Sequence, residues 1–342
     1  MIKKSITLSN KIRFKSLMDG IASANPDNLK QRLQQAYHPQ ANWRGSHPLN
    51  EIKGLAAIEA VVWSPLLRAF PDLERRDNII IGGNYQGRDY VGMVGHLAGT
   101  FKQDWLDIPA SGGLIYIRYG EFHQIVDGKI ILSSVLIDVL DVIRQAGFWP
   151  LPPSLGCEEM WPGPISADGV TLTEQDPEQS SASLELCLAM QKSLGNTLVG
   201  RDDLLNMSQK DYWHPKMMWY GPSGIGSNRG LEGFVDCHQR PFRIAFPERN
   251  SGKNHYVRIG DGKYAATSGW PSVMAKHAGG DWLGMAPSGR EISMRVMDFY
   301  LCDEDLIREN WVPIDIIHIL LQMDVDIMAR VKLQFRKPST YK

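Results

Sequence analysis

The sequence contains little cysteine and no long apolar segment. Its four cysteines, Cys157, Cys187, Cys237 and Cys302, show no CxxC spacing, which argues against a disulfide framework or a zinc site and favours reduced thiols. No run of about 18 apolar residues occurs, so no membrane-spanning segment is expected. The first residues are basic but lack the apolar stretch of about 7–15 residues that a secretory signal needs. We therefore expect a cytoplasmic protein without a membrane partner.

Neither an excess of one charge nor a nucleotide-binding motif is present. The formal net charge is −1 over 342 residues, and without a basic patch no nucleic-acid partner is expected. The sequence has no GxGxxG motif and no Walker-type loop. Its nine histidines show no HxH, HxxxH or His/Asp clustering of the kind that holds a metal. The sequence accordingly predicts no cofactor and no metal.

What the sequence does contain is a duplication at a spacing of 176 residues, as between His38 and His214. The spacing becomes 174 and then 177 further along, as loop insertions between paired strands would produce. The matched positions include Trp43/Trp219, Pro71/Pro247, Tyr90/Tyr264, Gly95/Gly269, Arg118/Arg295 and Asp138/Asp315. A repeat of this length is a whole domain, so the chain is a fused pair.

The repeat divides the chain into two copies and a linker. We predict one domain over residues 1–149 (copy one), a proline-rich linker over 150–181, and a second domain over 182–335 (copy two). Six prolines between 150 and 177 exclude a helix or a central strand there. Met160 and Trp161 indicate that part of the linker packs on a domain surface.

The order of predicted elements is the same in both copies and is typical of an α+β fold. Two helices come first (7–23 and 27–36, or 182–199 and 202–211), and a third follows Gly54 or Gly230. Strand-like runs come next, at 77–81, 89–97, 114–126 and 129–137 in copy one and at 255–259, 264–273, 291–302 and 306–314 in copy two. Turns such as Asp127-Gly128 join antiparallel hairpins. Helices should therefore cover one face of a curved antiparallel sheet.

Each copy carries a set of short motifs in the same order, at residues 285–290, 296–299, 306–315 and 320–323 in copy two and at 95–96, 108–112, 127–130, 138 and 142–147 in copy one. These motifs resemble the pattern of the SnoaL-like polyketide cyclases of the NTF2-like superfamily. Copy one departs from it, with Leu132-Ser133-Ser134 where the family has Glu and Trp. Copy two departs with Trp270 in place of His96. The resemblance implies two tandem NTF2-like (cystatin-like cone) domains that pair through their sheet faces as an intrachain pseudo-dimer. Further homo-oligomerisation stays open.

Asp138 and Asp315 are the leading candidates for acid/base chemistry. Alternation along the strand places Asp315 on one face with Pro313 and Trp311, where desolvation would raise its pKa toward neutrality. A carboxyl group of that kind suits a general acid/base, and the resemblance implies that the family's catalytic acid follows this strand. The alternative is that each aspartate caps the closing helix, since apolar residues at helical spacing follow.

Two histidines and two arginines are further candidates. His96, on an alternating strand, could bond a substrate carbonyl or exchange a proton with Asp138; it could also be a buried structural histidine. His277 is the nearest histidine in copy two, with a surface loop as its alternative position. Arg118 and Arg295 could hold a carboxylate or enolate oxygen, or could form cross-strand ion pairs with the matched acids Glu121 and Asp298.

Tryptophans provide candidate cavity walls. Trp43, Trp219, Trp270, Trp282 and Trp311 could bind a planar or cyclic substrate, or could fill the cores. We thus expect a cofactor-independent cyclase/lyase-type enzyme that acts on a small hydrophobic carbonyl compound by aldol-type cyclisation, dehydration or isomerisation. Hydrolysis of small esters or epoxides by the same carboxylate also stays open. The alternative of another class is a non-catalytic ligand-binding or protein-interaction module.

Overall fold

The computed structural model describes residues 4–252 and 254–334, so the predicted domain ends at 1–3 and 335 lie outside the described residues. Within these ranges each copy forms helices packed on one face of a curved sheet, and the predicted α+β fold is confirmed. Copy one consists of α1 (Ile6–Ala22), α2 (Leu29–Ala36), β1 (Tyr37–Gly45), β2 (Glu51–Lys53), α3 (Leu55–Ile58), a π-helical turn (Glu59–Trp63), α4 (Ser64–Ala69), β3 (Glu74–Tyr85), β4 (Arg88–Thr100), β5 (Leu114–Val126), β6 (Lys129–Ile137) and α5 (Val139–Gln145).

Copy two repeats this order with small additions. Its elements are α6 (Pro177–Ser193), α7 (Arg201–Asn206), a 3₁₀ turn (Ser208–Asp211), β7 (Trp213–Tyr220), β8 (Asn228–Arg229), α8 (Gly230–Phe234), a π-helical turn (Val235–Gln239), α9 (Arg240–Ala245), β9 (Arg249–Ser251), β10 (His255–Asp261), β11 (Tyr264–Lys276), β12 (Glu291–Asp303), β13 (Leu306–Trp311), α10 (Ile316–Gln322) and α11 (Ile327–Gln334). None of the helices in the described ranges is both long and apolar enough to cross a bilayer.

Each sheet is antiparallel except at one pair of strands. The orders are β2-β1-β6-β5-β4-β3 and β10-β11-β12-β13-β7-β8, with β9 added to β11. The segments around Trp43 and Trp219, which the sequence did not identify as strands, are β1 and β7. They pair in parallel with β6 and β13. The long connection that follows each of them, with its helix, allows this parallel return.

The first helix of copy two begins earlier than the sequence predicted. Asp176 caps α6 by accepting a hydrogen bond from the Glu178 N–H, and Pro177 occupies its first turn. An acceptor side chain followed by proline is a favoured helix start, because the first N–H groups have no partner inside the helix. The helix therefore begins at 177 rather than 182, and ends at Ser193 rather than 199.

The two sheets pack against each other through the faces that point away from their helices. At the centre, the rings of Phe122 and Phe299 stack 5.1 Å apart at an interplanar angle of 11°. A Cβ at Gly120 would lie 2.6 Å from the ring of Pro313 in the other copy, so this close approach requires glycine. Copy one and copy two therefore share an apolar core, which makes the chain an intrachain pseudo-dimer.

The linker runs along this shared core. Trp161 is 5% exposed and packs in it, and the Trp311 indole N–H donates to the Pro162 carbonyl at 2.8 Å. The Ile80 N–H, at the edge of the first sheet, donates to the Gly169 carbonyl at 2.8 Å. These bonds tie the linker to both copies.

Candidate active site

Copy two contains a cavity of about 540 Å³ between its sheet and its helices, and this cavity opens to solvent. This volume lies within the range of about 300–1,000 Å³ typical of small-molecule sites. Aromatic side chains form much of its wall: Trp213, Trp219, Phe234, Phe242 and Trp282. Such a wall suits a planar or cyclic ligand.

Asp298 provides the one carboxylate among the described residues that line this cavity. It lies on β12, where it pairs with Thr267 of β11. Burial raises the pKa of Asp298 to about 6, although hydrogen bonds from Tyr300 and Asn310 lower it. A carboxyl group that titrates close to neutrality can both accept and return a proton under physiological conditions.

A chain of hydrogen bonds positions Asp298. Gln191, on α6, donates to the hydroxyls of Tyr300 and Thr267, both at 2.9 Å. The Tyr300 hydroxyl, with its oxygen accepting from Gln191, is left to donate to Asp298. The sheet and α6 thus hold the carboxylate from two sides, which fixes its direction in the cavity.

His238 lines the same cavity from the π-helical turn between α8 and α9. Its ring stacks on Trp219 with centroids 4.1 Å apart and planes at 16°. Burial, helped by the nearby charge of Arg243, lowers the pKa of His238 to about 3. The imidazole is therefore neutral at physiological pH and can donate one hydrogen bond without carrying charge.

In copy one, a buried ion network occupies the positions that correspond to this cavity. Glu121, which matches Asp298 in the repeat, receives the Arg75 guanidinium at 2.5 Å, and Arg75 also pairs with Asp77 at 2.8 Å. His123 lies 3.2 Å from Glu121 and 2.8 Å from the Ser133 hydroxyl. All five side chains are buried. The carboxylate of copy one is thus paired with the Arg75 guanidinium rather than left facing a cavity.

Comparisons with known proteins were made for the sequence and the fold. The family model for SnoaL-like polyketide cyclases matches residues 19–146 and 204–323, which together are more than half of the chain. The chain belongs to the SnoaL-like polyketide cyclase family. The predicted resemblance is confirmed, and membership supports a cyclase-type function with a small hydrophobic ligand. No curated protein matches the sequence.

Solved structures with a similar fold were also found. A SnoaL-like polyketide cyclase from Jannaschia sp. CCS1 is 18% identical, with 45% of this chain and 100% of that chain covered and a TM-score of 0.35. A polyketide cyclase from Acidithiobacillus ferrooxidans is 17% identical over 42% of this chain and 98% of its own, with a TM-score of 0.35. An NTF2-like protein from Burkholderia xenovorans LB400 is 10% identical over 42% and 97%, with a TM-score of 0.33.

Asp138 and Asp315 lie at the contact between the copies, away from the residues that line the cavity. Asp315 caps α10 through the His318 N–H at 3.2 Å and accepts the His47 N–H of copy one at 2.9 Å. Asp138 mirrors it, since it caps α5 and accepts the Ser223 N–H of copy two at 2.8 Å. This geometry favours the helix-capping alternative and adds a reciprocal bond between the copies.

Burial raises the pKa of both aspartates, but each faces a cation. Arg295 lies 3.0 Å from Asp315 and counteracts the burial that raises the pKa of Asp315 to about 6. Burial and the neighbouring Asp141 raise the pKa of Asp138, whereas Arg118, 3.6 Å away, lowers it. Arg118 and Arg295 therefore bind protein carboxylates at the contact between the copies. A role for either arginine in substrate binding remains a prediction.

The two predicted histidines also point away from the cavity. His96 alternates with core residues of β4 and packs against Tyr116, with ring centroids 5.6 Å apart. Burial, helped by Arg118, lowers the pKa of His96 to about 4, so its ring is neutral. His277 is fully buried rather than in a surface loop. Its Nε2 lies 3.0 Å from the Gly280 carbonyl and its Nδ1 accepts the Ser288 N–H at 3.2 Å, so it braces the loop that follows β11.

Among the five predicted tryptophans, Trp219 and Trp282 line the cavity. Trp43 is 2% exposed inside copy one, and Trp311 is fully buried in the shared core. Trp270 lies at the contact between the copies, where the guanidinium groups of Arg44 and Arg295 approach its ring at 4.8 and 5.1 Å. The structure therefore brings two predicted residues to the cavity and places most of the others at the contact between the copies.

The sequence analysis did not assign the polar residues of the cavity to a site, among them Asp298, His238, Tyr300 and Asn310. It considered Asp298 only as a partner in a cross-strand ion pair. A signal for Asp298 was available in the strand itself. Arg295 and Asp298 are three residues apart on β12, so they point to opposite faces. The face of β12 that holds Arg295 forms the contact between the copies, so the opposite face, which holds Asp298, is the one that carries the site. Among the described residues, no group of three or more His, Cys, Asp or Glu side chains is placed to hold a metal.

Asp315→Ala tests whether this aspartate is structural or catalytic. We expect a loss of about 2–4 kcal/mol in the free energy of unfolding, because the cap disappears and Arg295 loses its buried partner. Chemical denaturation measures this loss. Turnover per folded molecule should stay close to that of the unmodified protein, and a loss of turnover without a loss of stability would instead make Asp315 catalytic.

Proposed function

We propose that copy two is a cofactor-independent enzyme of the cyclase/lyase type, with the aromatic cavity as its active site and Asp298 as its general acid/base. The observation that carries the proposal is a single carboxylate, with its pKa raised to about 6, in a cavity of about 540 Å³ walled by aromatic rings. The substrate class is a small hydrophobic carbonyl compound, in agreement with the family.

In this mechanism, the Asp298 carboxylate removes a proton from the carbon next to the substrate carbonyl. The resulting enolate has three possible courses. In cyclisation it attacks a second carbonyl, and the alkoxide formed takes the proton back from Asp298. In dehydration it expels a hydroxyl that leaves as water with that proton, and in isomerisation it takes the proton back at another carbon. His238 is assigned the hydrogen bond to the enolate oxygen, since its neutral imidazole still carries one N–H that can donate. One positioned acid/base contributes about 10²–10⁴-fold, so the substrate should form a resonance-stabilised carbanion.

Copy one is proposed to be the scaffold of the pair. Its Glu121 is held by Arg75, so it is a poor base for a substrate proton. The reciprocal aspartates Asp138 and Asp315 are proposed to position the two copies rather than to touch the substrate. This assignment makes the fused pair an asymmetric version of a dimer, with one active half.

The experiment that tests this function is α-proton exchange of 2-tetralone in D₂O, followed by NMR. The protein should accelerate exchange above the buffer rate, and the acceleration should rise with pH to a plateau with a midpoint near 6. The sign follows from the chemistry: the base works as a carboxylate, so protonation below its raised pKa removes activity.

The outcome separates the two classes of function. A midpoint near 4, or a rate independent of pH between about 5 and 8, would exclude Asp298 as the base, because an ordinary aspartate titrates near 3.9. Saturable binding of 2-tetralone without any exchange would support the non-catalytic ligand-binding module instead.

A further inference from the structure

The charges around the cavity of copy two are strongly unequal. Four cationic side chains line it, Lys192, Arg243, Arg249 and Arg258, against the single carboxylate of Asp298. Within the part of the chain that the structure describes, none of the four cations forms an ion pair with a carboxylate. Uncompensated charge of one sign in a cavity attracts a ligand of the opposite sign.

Two of these arginines donate hydrogen bonds to backbone carbonyls of the protein. Arg243 donates to the carbonyls of Leu194, Asn196 and Leu198, and Arg249 donates to those of Asn196 and Phe246. These bonds fix the segment after α6 over the cavity. Both side chains contribute to the positive potential. Arg243 has few N–H groups left for a ligand, and Arg249 uses two of its five for backbone carbonyls.

Arg258 has more free donors than either of them. Among the described residues it gives one hydrogen bond, from Nη2 to the Gly252 carbonyl at 2.8 Å, and its Nε finds no partner there. A guanidinium has five N–H donors in a planar fork that matches the two oxygens of a carboxylate. Gly252 itself lines the cavity, so the hydrogen bond places the guanidinium at the cavity wall.

Strand register relates Arg258 to Asp298. Arg258 pairs with Thr267, and Thr267 pairs with Asp298. The three residues therefore form one row across β10, β11 and β12, and all face the helices. Neighbouring strands lie about 4.8 Å apart, so the two ends of the row are separated by about 10 Å. A small substrate can span that distance with one group at each end.

We propose that the substrate of this cavity carries a carboxylate, which Arg258 binds while Asp298 acts on carbon at the other end of the row. This inference rests on the proposed function and narrows its substrate class to oxo-acids with a hydrophobic or aromatic body. The carboxylate fixes the substrate in one orientation, so that the same carbon always faces Asp298.

The test compares the binding of two matched probes, 2-naphthoate and its neutral analogue 2-naphthamide, by isothermal titration calorimetry. We expect naphthoate to bind about 10–100-fold more tightly, the range of a charge-assisted hydrogen-bonded pair. Arg258→Gln should remove this preference by weakening naphthoate alone, and Arg258→Lys should restore part of it. Arg68→Gln, at an exposed position of copy one, is the surface control.

Each outcome decides the inference. Equal affinities for the two probes, no binding of either, or an unchanged preference in Arg258→Gln would overturn it. Binding of 2-naphthyl phosphate more than about tenfold tighter than naphthoate would replace the carboxylate with a phosphate. Thermal unfolding of each variant shows that it is folded.

Failure of the inference can be told apart from failure of the proposed function. If Asp298→Asn loses proton exchange but the Arg258 variants do not alter the preference for naphthoate, Asp298 is supported as the base and the carboxylate site is rejected. If Arg258→Gln removes the preference while the unmodified protein shows no exchange, the carboxylate site stands without the chemistry.

Discussion

Asp298→Asn is expected to lower the rate of α-proton exchange by about 10²–10⁴-fold, because an amide cannot accept the substrate proton. The change is nearly isosteric and keeps an oxygen that can accept from Tyr300. Binding of 2-naphthoate should stay at least as tight, since the substitution removes a like charge from the cavity. NMR exchange measured beside calorimetry separates this catalytic loss from a loss of binding.

The same substitution should stabilise the protein at pH 7. Burial raises the pKa of Asp298, so the ionised carboxylate costs stability above a pH of about 6, and this cost disappears as the group is protonated at lower pH. Because Asp298 lines a cavity that water can enter, we expect a gain of only about 1–2 kcal/mol in Asp298→Asn. The gain should vanish near pH 4.

Two control variants sharpen this prediction. Asp303 lies on the same strand at an exposed position. Asp303→Asn should therefore change neither the rate of proton exchange nor the free energy of unfolding. Glu121→Gln alters the matched acid of copy one, and the asymmetric model expects it to leave exchange per folded molecule intact. Exchange that survives in Asp298→Asn but disappears in Glu121→Gln would assign the chemistry to copy one.

Arg75→Met is expected to lower the free energy of unfolding by about 3–5 kcal/mol, the cost of leaving buried carboxylates without their cation. Arg75, Asp77 and Glu121 are each at most 4% exposed at their side chains. Burial raises the pKa of Glu121, but Arg75 and His123 together hold it below its usual range. Removal of Arg75 therefore takes away the larger of the two interactions that oppose burial. Chemical denaturation of the whole chain measures the change.

The neighbouring residue provides a matched control. Arg76 pairs with Glu74 at the surface, with 51% and 61% of their side chains exposed, so Arg76→Met should change stability by no more than about 0.5 kcal/mol. The loss in Arg75→Met should also shrink as pH falls, since protonation neutralises Glu121, which has lost the guanidinium that lowers its pKa. Equal losses in the two variants would show that the network contributes nothing to stability.

The sequence by itself determined the duplication, the order of the helices and of the four later strands in each copy, and the family. The repeat was readable because matched Pro, Gly and aromatic residues, such as Pro71/Pro247 and Gly95/Gly269, stand at turns and strand positions where few other residues fit. The strands of β12 and β13 were readable because alternation of apolar and polar residues is a local property. These features need no knowledge of what packs on either face.

Only the tertiary structure decided which face of each sheet carries chemistry. Both aspartates belong to copy two. Asp315 follows β13 and is turned to copy one, whereas Asp298 lies on β12 and is turned to the cavity. The His47 N–H that Asp315 accepts is 268 residues away along the chain, so no local pattern could predict it. The asymmetry between the copies has the same origin, because it depends on whether Arg75 or an open cavity lies opposite a matched acid.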